Sequence, residues 1–353
     1  MEKNLGSWEH LNMKKTLISA SIASVLTLAS FGALAEGPNF YGRLDLSVTD
    51  SDTGATTQEG KDGTVLETNF SHVGVKGSET IANGFDIIYK MEFQVENTST
   101  NKDVFKARNT YLGLKTEMGT VLVGRNDSVF KQAEGGIDLF GNSNADIDRL
   151  VGGQTRAADG VWYYSPKIAG LVTLNATYLM EDNYTNDANK TSYEDQYALS
   201  ATIGDKKLKA QSYYAAIAYN TIGGIDAYRA VGQVKLGDFK VGGLFQNTES
   251  QTNSDQEGNS YFVNVSYNLN GVNLKAEYGK DEAGFGKYYK NITDTDGSDV
   301  NVQVITIGAD YKIAKSTLIY GHYAMYEGDH KIGTGTVDLE DDNIFTVGVR
   351  YNF

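Results

Sequence analysis

The chain has 353 residues, no cysteine and only two prolines, and its 45 acidic against 31 basic side chains give a formal net charge of −14. The absence of cysteine excludes disulfides and thiol chemistry, and the acidic balance argues against a nucleic-acid-binding protein. The 39 glycines and 23 tyrosines are typical of a protein with many strands and tight turns.

The N-terminal region has the form of a secretory leader. Met13-Lys14-Lys15 is a short basic segment, a mostly apolar stretch without charge follows, and Ala33-Leu34-Ala35 has the A-x-A form of a cleavage site. A transmembrane anchor is the alternative, but the apolar stretch is short and ends in small residues. We therefore interpret the chain as an upstream extension of uncertain origin at 1–12, a cleaved signal peptide at 13–35 and a mature β-barrel at 36–353.

Alternating segments of about ten residues follow one another along the mature chain. In the segment 345–353 apolar residues alternate with small or polar ones, and the segment ends on an aromatic side chain. A strand with lipid on one face and water on the other has this pattern, and a closed barrel needs a paired last strand. In a soluble sandwich the polar face would meet solvent outside, so the leader and this last strand favour a membrane barrel. The same alternation occurs at 40–49, 85–96, 172–178, 261–268 and 272–278.

The connections alternate between short and long. Short turns rich in glycine and asparagine, such as Asn270-Gly271, separate pairs of segments, whereas the intervening loops are longer and polar. This arrangement predicts an all-β, transmembrane antiparallel barrel of about 16 strands, whose interior is an aqueous channel. One loop, 126–159, is exceptionally long and rich in glycine and acidic residues, so it either covers the surface or folds into the lumen.

Several local motifs resemble those of the general diffusion porins of Gram-negative bacteria. They are His72-Val73-Gly74-Val75-Lys76-Gly77, 106–115, Val123-Gly124-Arg125-Asn126 and Tyr351-Asn352-Phe353. The resemblance implies an outer-membrane homotrimer of 16-stranded barrels in contact with lipid and lipopolysaccharide, each barrel with its third long loop folded inward as a constriction. It also implies that Phe353 and Tyr351 form the signal read by the outer-membrane barrel assembly machinery.

Porins of this family set acidic side chains on the third loop against basic side chains on the barrel wall. Residues 133–136 resemble the Pro-Glu-Phe-Gly-Gly of the family without its Pro and Phe. The resemblance makes Glu134 and Asp138 the first candidates for the constriction acids. Asp146 and Asp148 are second, because Arg149 lies close enough in sequence to pair with them.

The basic side is assigned partly by motif and partly by strand face. Arg108 and Arg125 match wall arginines of the family by local motif, and Arg156 matches another. Arg43 and Lys90 are added because the polar faces of their strands point inward. His72 stands where many relatives carry an arginine, and an unperturbed imidazole is mostly uncharged at neutral pH. The expected wall residues are Arg108, Arg125, Arg156, Arg43, Lys90 and His72.

These observations predict a porin that passes ions and small hydrophilic solutes, with mild cation selectivity because the chain is acidic and His72 replaces a cation. A substrate-specific porin and an adhesive or structural barrel remain alternatives. Enzyme activity is not expected: only His72, His322 and His330 occur in the mature chain, and no nucleophile motif accompanies them. No cofactor, metal or catalytic residue is implied.

Overall fold

The computed structural model describes residues 37–100, 103–180, 185–186, 191–192, 196–293 and 297–353. The predicted upstream extension and signal peptide lie outside the described residues. Within the described part of the chain, no helix has the length and apolar character needed to cross a bilayer.

Sixteen antiparallel strands form one closed barrel, as the alternating segments predicted. The first strand pairs with the second on one side and with the last on the other, which closes the ring. The strands are β1 Asn39–Ser51, β2 Gly63–Thr68 with His72–Ala82, β3 Phe85–Val95, β4 Phe105–Ala107 with Thr110–Thr116, β5 Gly119–Asp127, β6 Arg156–Tyr164, β7 Val172–Leu179, β8 Tyr197–Gly204, β9 Tyr213–Asn220, β10 Ile225–Leu236, β11 Phe239–Ser250, β12 Glu257–Leu269, β13 Val272–Asp281, β14 Ser298–Lys312, β15 Thr317–Ile332 and β16 Asp342–Asn352.

The strand faces follow the predicted alternation. In β16 the side chains of Phe345, Val347 and Val349 are 44% to 55% exposed on the outer surface. The alternate residues Ile344 and Thr346 point inward and are completely buried. Because an apolar outer face and a largely polar inner face suit lipid outside and water inside, the alternation is that of a transmembrane barrel.

Connections at the two ends of the barrel differ in length. At the end that holds both chain termini, four turns have only two residues each, at 83–84, 117–118, 237–238 and 270–271. The longest connection there, 205–212, places the backbone carbonyl of Lys206 against Gly136, where an added Cβ would lie 2.7 Å from it. Most loops at the opposite end are long, the exceptions being 221–224 and 251–256, so this is the extracellular end.

The third long loop, 128–155 (called L3 below), folds into the barrel. The sequence predicted a loop at 126–159, but β5 continues through Asp127 and β6 begins at Arg156. L3 contains a short helix, α1 Val129–Gln132, and a 3₁₀ turn, Ile147–Arg149. Its apolar side chains are buried, which removes them from water inside a polar lumen. They are Val129, Phe130, Ile137, Phe140, Ile147, Leu150 and Val151.

Three irregularities occur in strands that carry predicted wall residues. β2 is interrupted at 69–71, directly before His72, and β4 is interrupted at 108–109, which contains Arg108. In β5 the pairing with β6 shifts between Gly124 and Asn126, so Arg125 lies at a β-bulge. Breaks and bulges re-aim side chains that regular alternation would place elsewhere, and they often accompany functional sites.

Candidate functional site

L3 is held against the barrel wall by side chains that donate hydrogen bonds to its backbone carbonyls. The hydroxyl of Tyr214 donates to Ala133 O at 3.0 Å. Because irregular backbone inside a membrane barrel needs such partners, these bonds explain where the loop lies. Three further donors are Gln233 Nε2 to Gly136 O at 2.9 Å, Lys275 Nζ to Leu139 O at 2.8 Å and Asn264 Nδ2 to Ile137 O.

Both ends of L3 are also joined to the wall through one guanidinium. Arg229 on β10 donates to Phe130 O at 3.2 Å and to Gly152 O at 3.3 Å. The same guanidinium lies 4.1 Å from the centre of the Phe130 ring. Arg229 is 2% exposed, so these contacts are made away from water, where hydrogen bonds to a charged group are strongest.

A glycine on the wall makes room for the ring of Phe140. A Cβ at Gly308 on β14 would lie 2.7 Å from Cε1 of Phe140 and 2.6 Å from Gly321 O. The Phe140 ring packs edge-on against His322, with 5.5 Å between ring centres. His322 is therefore a buried packing residue of the wall, and His330 accepts or donates a hydrogen bond at 2.9 Å to the hydroxyl of Tyr289.

Strands β1, β3, β6 and β16 and the break in β4 carry a cluster of cationic side chains, which we call the basic wall cluster. Its members come from strands that are distant in sequence and adjacent in the closed barrel. Their side chains retain partial exposure, 11% for Arg108, 20% for Lys90 and 23% for Arg156. The basic wall cluster consists of Arg43, Lys90, Arg108, Arg156 and Arg350.

Glu92 on β3 lies at the centre of the basic wall cluster. Its carboxylate accepts from Arg108 Nε at 2.7 Å and pairs with Lys90 Nζ at 3.0 Å. The hydroxyl of Tyr41 donates to the same carboxylate at 2.8 Å, and His72 Nε2 lies 3.9 Å from it. The wall therefore supplies its own negative charge between the bases.

Two further carboxylates are interleaved with the arginines. Asp127 Oδ1 lies 2.9 Å from Arg156 Nε. Asp45 pairs with Arg350 Nε and accepts from the hydroxyl of Tyr320 at 2.8 Å. Arg43 lies within electrostatic reach of Arg350, Asp45, Arg108 and Glu92, and its Nε donates to Asn352 Oδ1 at 3.1 Å.

Arg125 differs from the other predicted bases. It is half-buried at the β-bulge. In the described part of the chain, Arg125 forms no ion pair within 4 Å. Arg108 and Arg156, in contrast, each pair with one described carboxylate.

The predicted L3 acids Glu134 and Asp138 are held within the loop and against the wall behind it. Asp138 accepts from the backbone N–H of Phe140 at 3.0 Å and of Ile147 at 3.3 Å. Burial raises the pKa of Asp138, and neighbouring carboxylates raise it further. Burial also raises the pKa of Glu134 to about 7, although Arg229 and Lys131 oppose the shift.

The second pair of predicted acids stabilises the 3₁₀ turn of L3. Asp146 accepts from the backbone N–H of Asp148 at 2.9 Å and of Asn142, and burial raises its pKa. Asp148 lies 3.0 Å from Arg149 Nη1 and also pairs with Lys287. Burial opposes ionisation of Asp148, but these two cations outweigh it and lower its pKa. Of the two, it is Asp148 that Arg149 pairs with.

Sequence reasoning did not select Asp45, Glu92, Asp127 or Arg350 as site residues. Asp45, Glu92 and Arg350 lie on the inward faces of their strands, so strand alternation alone would have placed these three in the lumen. The pattern carries no information about which inward side chains meet across strands, because that depends on the register of ring closure. Among the described residues, no group of histidine, aspartate and glutamate is arranged to hold a metal ion.

The arrangement can orient polar solutes in water. Cations and carboxylates alternate within the basic wall cluster, so the electric field varies in sign along this part of the lumen. Dipolar and charged solutes interact favourably with such a field, whereas apolar solutes would have to displace oriented water.

A family model described as Gram-negative porin matches residues 20–331. The match covers most of the chain and both sides of the constriction. The chain belongs to the Gram-negative porin family. The family and its relatives point to a channel of the outer membrane rather than to an enzyme.

Two curated relatives are similar over most of their length. The chain is 26% identical over 333 residues to the major outer membrane protein P.IB of Neisseria lactamica, covering 86% of this chain and 91% of the relative. It is 24% identical over 371 residues to the P.IB protein of Neisseria sicca, covering 97% of this chain and all of the relative. Both support an outer-membrane porin.

Solved porin structures share the fold. The anion-selective porin of Comamonas acidovorans has a TM-score of 0.66 and 18% identity, covering 90% of this chain and 99% of that one. The Salmonella typhi OmpF complex with daunomycin has a TM-score of 0.68 and 15% identity, covering 90% of this chain and 98% of that one. At these identities the likeness establishes the 16-stranded barrel and leaves ion preference open.

Proposed function

We propose that this porin is a general diffusion channel that lets ions and small hydrophilic solutes pass the outer membrane down their gradients, as a homotrimer. The observation that carries the proposal is the division of the lumen. L3 is bonded to the wall along β9 and β10 and, through Asn144, to β1 and β2, whereas the stretch from β3 to β6 keeps partly exposed charged side chains such as Arg108 and Arg156. A polar passage with no single dominant charge suits many solutes rather than one.

We also propose a mild cation preference that arises at the extracellular mouth. Burial raises the pKa of Glu134 and Asp138, so these carboxyls contribute less negative charge at neutral pH than free carboxylates would. The segment 333–341, in which Gly335–Asp338 form a short strand paired with the end of β15, contains Asp338, Glu340 and Asp341 and no basic residue. Acidic groups around a pore entrance raise the local concentration of cations.

Planar-bilayer recording of the purified, detergent-folded protein in a potassium chloride gradient tests both proposals. Large conductance steps that close in threes support a trimeric diffusion channel, and a cation-favouring reversal potential supports the preference. The variant D338N/E340Q/D341N should lower the cation-to-anion permeability ratio more than E134Q/D138N. An equal or larger effect of E134Q/D138N would assign the preference to L3, and an anion-favouring potential in the unmodified protein would contradict it.

A further inference from the structure

A patch of lysines lies at the periplasmic end of the barrel, where the turn 205–212 meets the hairpin between β10 and β11. The backbone N–H of Lys235 donates to Ser212 O at 2.7 Å, so the two connections lie side by side. Together, 205–212 and 235–240 contain five lysines and two aspartates, a net charge of +3. The five lysines are exposed and are called here the vestibule patch: Lys206, Lys207, Lys209, Lys235 and Lys240.

Two members of the vestibule patch lie on strand faces that point into the lumen. Lys235 is two residues from Gln233, whose amide donates to the backbone of L3 at 2.9 Å. Lys240 is two residues from Gly242, where an added Cβ would lie 3.1 Å from Cγ2 of Ile137 in L3. Because residues two apart share a strand face, both lysines belong to the row that lines the lumen, at its periplasmic edge.

The turn 205–212 also borders the lumen, on the periplasmic side of L3. Asp205 and Lys206 line a cavity of about 260 Å³ together with Gln132 of L3. The turn has a fixed shape, because the Asp205 carboxylate accepts from three backbone N–H groups of the turn at 2.8 to 2.9 Å. The lysines of this turn are therefore held at the periplasmic entrance of the channel.

The positive charge of the vestibule patch is not compensated by ion pairs. In the part of the chain that the structure describes, none of its five ammonium groups forms an ion pair within 4 Å, whereas Lys115 and Lys275 elsewhere on the wall are paired with aspartates. Lys235 and Lys240 are also direct partners in the register of β10 and β11. Like charges directly opposite each other destabilise a sheet, so this arrangement weakens the hairpin that carries it.

The extracellular end of the barrel has the opposite charge. On β10, β11 and β12, three carboxylates are direct neighbours in register at that end: Asp226, Glu249 and Glu257. The extracellular segments 52–62, 249–257, 282–299 and 327–342 contain sixteen acidic and four basic residues. Within the single strand β10, a carboxylate therefore stands near the extracellular end and a lysine near the periplasmic end.

We propose that the two entrances carry opposite charge and that the channel therefore rectifies, passing more current when the extracellular side is positive. With that polarity, cations enter through the acidic end and anions through the basic end, so both accumulate inside the channel. The reverse polarity drives each ion into the entrance of its own sign, which depletes the channel of carriers. The proposal rests on the proposed diffusion function, and it explains why the cation preference is mild: the vestibule patch opposes the acidic entrance.

Thiol reactivity measures the charge of each entrance independently of conductance, because the chain has no cysteine. Ser212→Cys places one thiol beside the vestibule patch, and Thr334→Cys places one in the acidic segment 333–341. The probes are two methanethiosulfonates of similar size, the anionic ethylsulfonate and the cationic ethyltrimethylammonium. A local potential of one kT changes the ratio of their rates, relative to a free thiol, by about sevenfold. Position 212 should favour the anionic reagent and position 334 the cationic reagent.

Single-channel recording measures the rectification itself. Biotin attached in T334C, with streptavidin added to one compartment, identifies the extracellular side. At low salt the current should be roughly 1.5-fold larger when that side is positive, and at 1 M salt, where charges are screened within about 3 Å, the curve should be nearly symmetric. An asymmetry that does not weaken with salt would point to the shape of the channel instead of its charge.

Neutral variants of the lysines connect both measurements to the vestibule patch. The variant K206Q/K207Q/K209Q/K235Q/K240Q should abolish the preference for the anionic reagent at position 212, make the low-salt curve more symmetric and raise the cation-to-anion permeability ratio. K235Q/K240Q should have part of each effect, and K235R/K240R should have none. K61Q is the matched control, because it removes an exposed lysine at the extracellular end and should not reduce the asymmetry.

The possible failures are distinguishable. A symmetric low-salt curve, or the same reagent preference at positions 212 and 334, would overturn the opposite charge of the entrances and leave the diffusion function intact. Absence of conductance steps in the unmodified protein would overturn the diffusion function and the rectification together. The thiol rates would in that case still decide the charge of the two entrances.

Discussion

Glu92 accepts a hydrogen bond from Arg108 Nε at 2.7 Å, and this pair joins β3 to the break in β4 at the constriction. A carboxylate in this position changes how the basic wall cluster acts on an ion. Its negative charge compensates the positive charges of Arg108 and Lys90. The wall therefore presents alternating positive and negative charges to an ion instead of a continuous positive surface.

Glu92→Gln should shift ion preference toward anions. The substitution keeps the side-chain shape and leaves Arg108 and Lys90 without their shared carboxylate. A unit charge about 10 Å from an ion in water changes its energy by about 0.4 kcal/mol, which is about twofold in permeability ratio. The reversal potential in a salt gradient measures the change. Glu117→Gln, in an exposed turn outside the lumen, should leave the reversal potential unaltered. An effect of Glu117→Gln as large as that of Glu92→Gln would show that the net charge of the chain, rather than the position of Glu92, sets the ion preference.

The packing of L3 should depend on pH through Glu134. Burial raises its pKa from an ordinary value near 4.5 to about 7, so folding favours the protonated carboxyl. The stabilisation is complete below the unfolded pKa and is lost as the pH rises through about 7. Hydrogen exchange of L3 amides should therefore be slower at pH 5 than at pH 8 beyond the intrinsic pH effect, by roughly tenfold or more.

Glu134→Gln provides the control for that prediction, because the amide is neutral at both pH values. The pH difference in L3 protection should shrink in this variant. Lys131, Arg229 and Asp146 also act on Glu134, so a difference that persists unchanged in Glu134→Gln would assign the pH dependence to another group.

Arg229→Met should loosen both ends of L3 at once. The variant keeps much of the side-chain volume but removes the donors to Phe130 O and Gly152 O. Hydrogen bonds to charged groups contribute about 1.5–3 kcal/mol each, so L3 amides should exchange faster and open-channel current should become noisier. Gln233→Leu removes a single bond to Gly136 O and should have a smaller effect. Equal effects of the two variants would show that Arg229 does not hold L3 more strongly than a residue with a single hydrogen bond to the loop.

Gly42→Ala should impair closure of the barrel. Gly42 and Phe353 exchange backbone hydrogen bonds at 2.9 and 3.1 Å, and a Cβ at position 42 would lie 2.2 Å from Cζ of the Phe353 ring. Overpacking of a buried core costs about 1–3 kcal/mol, and because the Phe353 ring is 60% exposed and can move, we expect a cost at the lower end of that range. Refolding yield into detergent, read from heat-modifiable gel migration, should fall in Gly42→Ala.

Phe353→Ala removes the ring that the new methyl group would strike. The double variant G42A/F353A should refold better than G42A, and Phe353→Ala alone gives the reference for a double-mutant cycle. Purified chains refold without the assembly machinery, so the assay separates steric closure from the predicted signal function of Phe353 and Tyr351. If the double variant refolds no better than G42A, the clash with the Phe353 ring is not the cause of the lower refolding yield.

The barrel itself could be predicted from the sequence because its signal is local. The alternation in β16 follows from the identities of neighbouring residues, and the turn residues follow from backbone preferences. The inward path of L3 also has a local signal, since Phe130, Ile137 and Phe140 are apolar residues in a loop that water should not face.

The charge pairing of the site could not be predicted in the same way. Asp45 and Arg350 are 305 residues apart, and they meet only because β1 and β16 pair with a particular register. Likewise, nothing in the sequence near Glu134 indicates that Arg229 lies beside it. Alternation tells which side chains enter the lumen, and the geometry of closure determines which of them become neighbours.

The pairing of β1 with β16 also orders events in time. The strand that seals the ring is the last strand of the barrel in chain order, so a chain that stops before β16 leaves the edges of β1 and β15 without their partner. A chain that lacks β16 cannot insulate its backbone from lipid and does not become a hole in the membrane. The position of the seam thus protects the cell from leaks through unfinished copies.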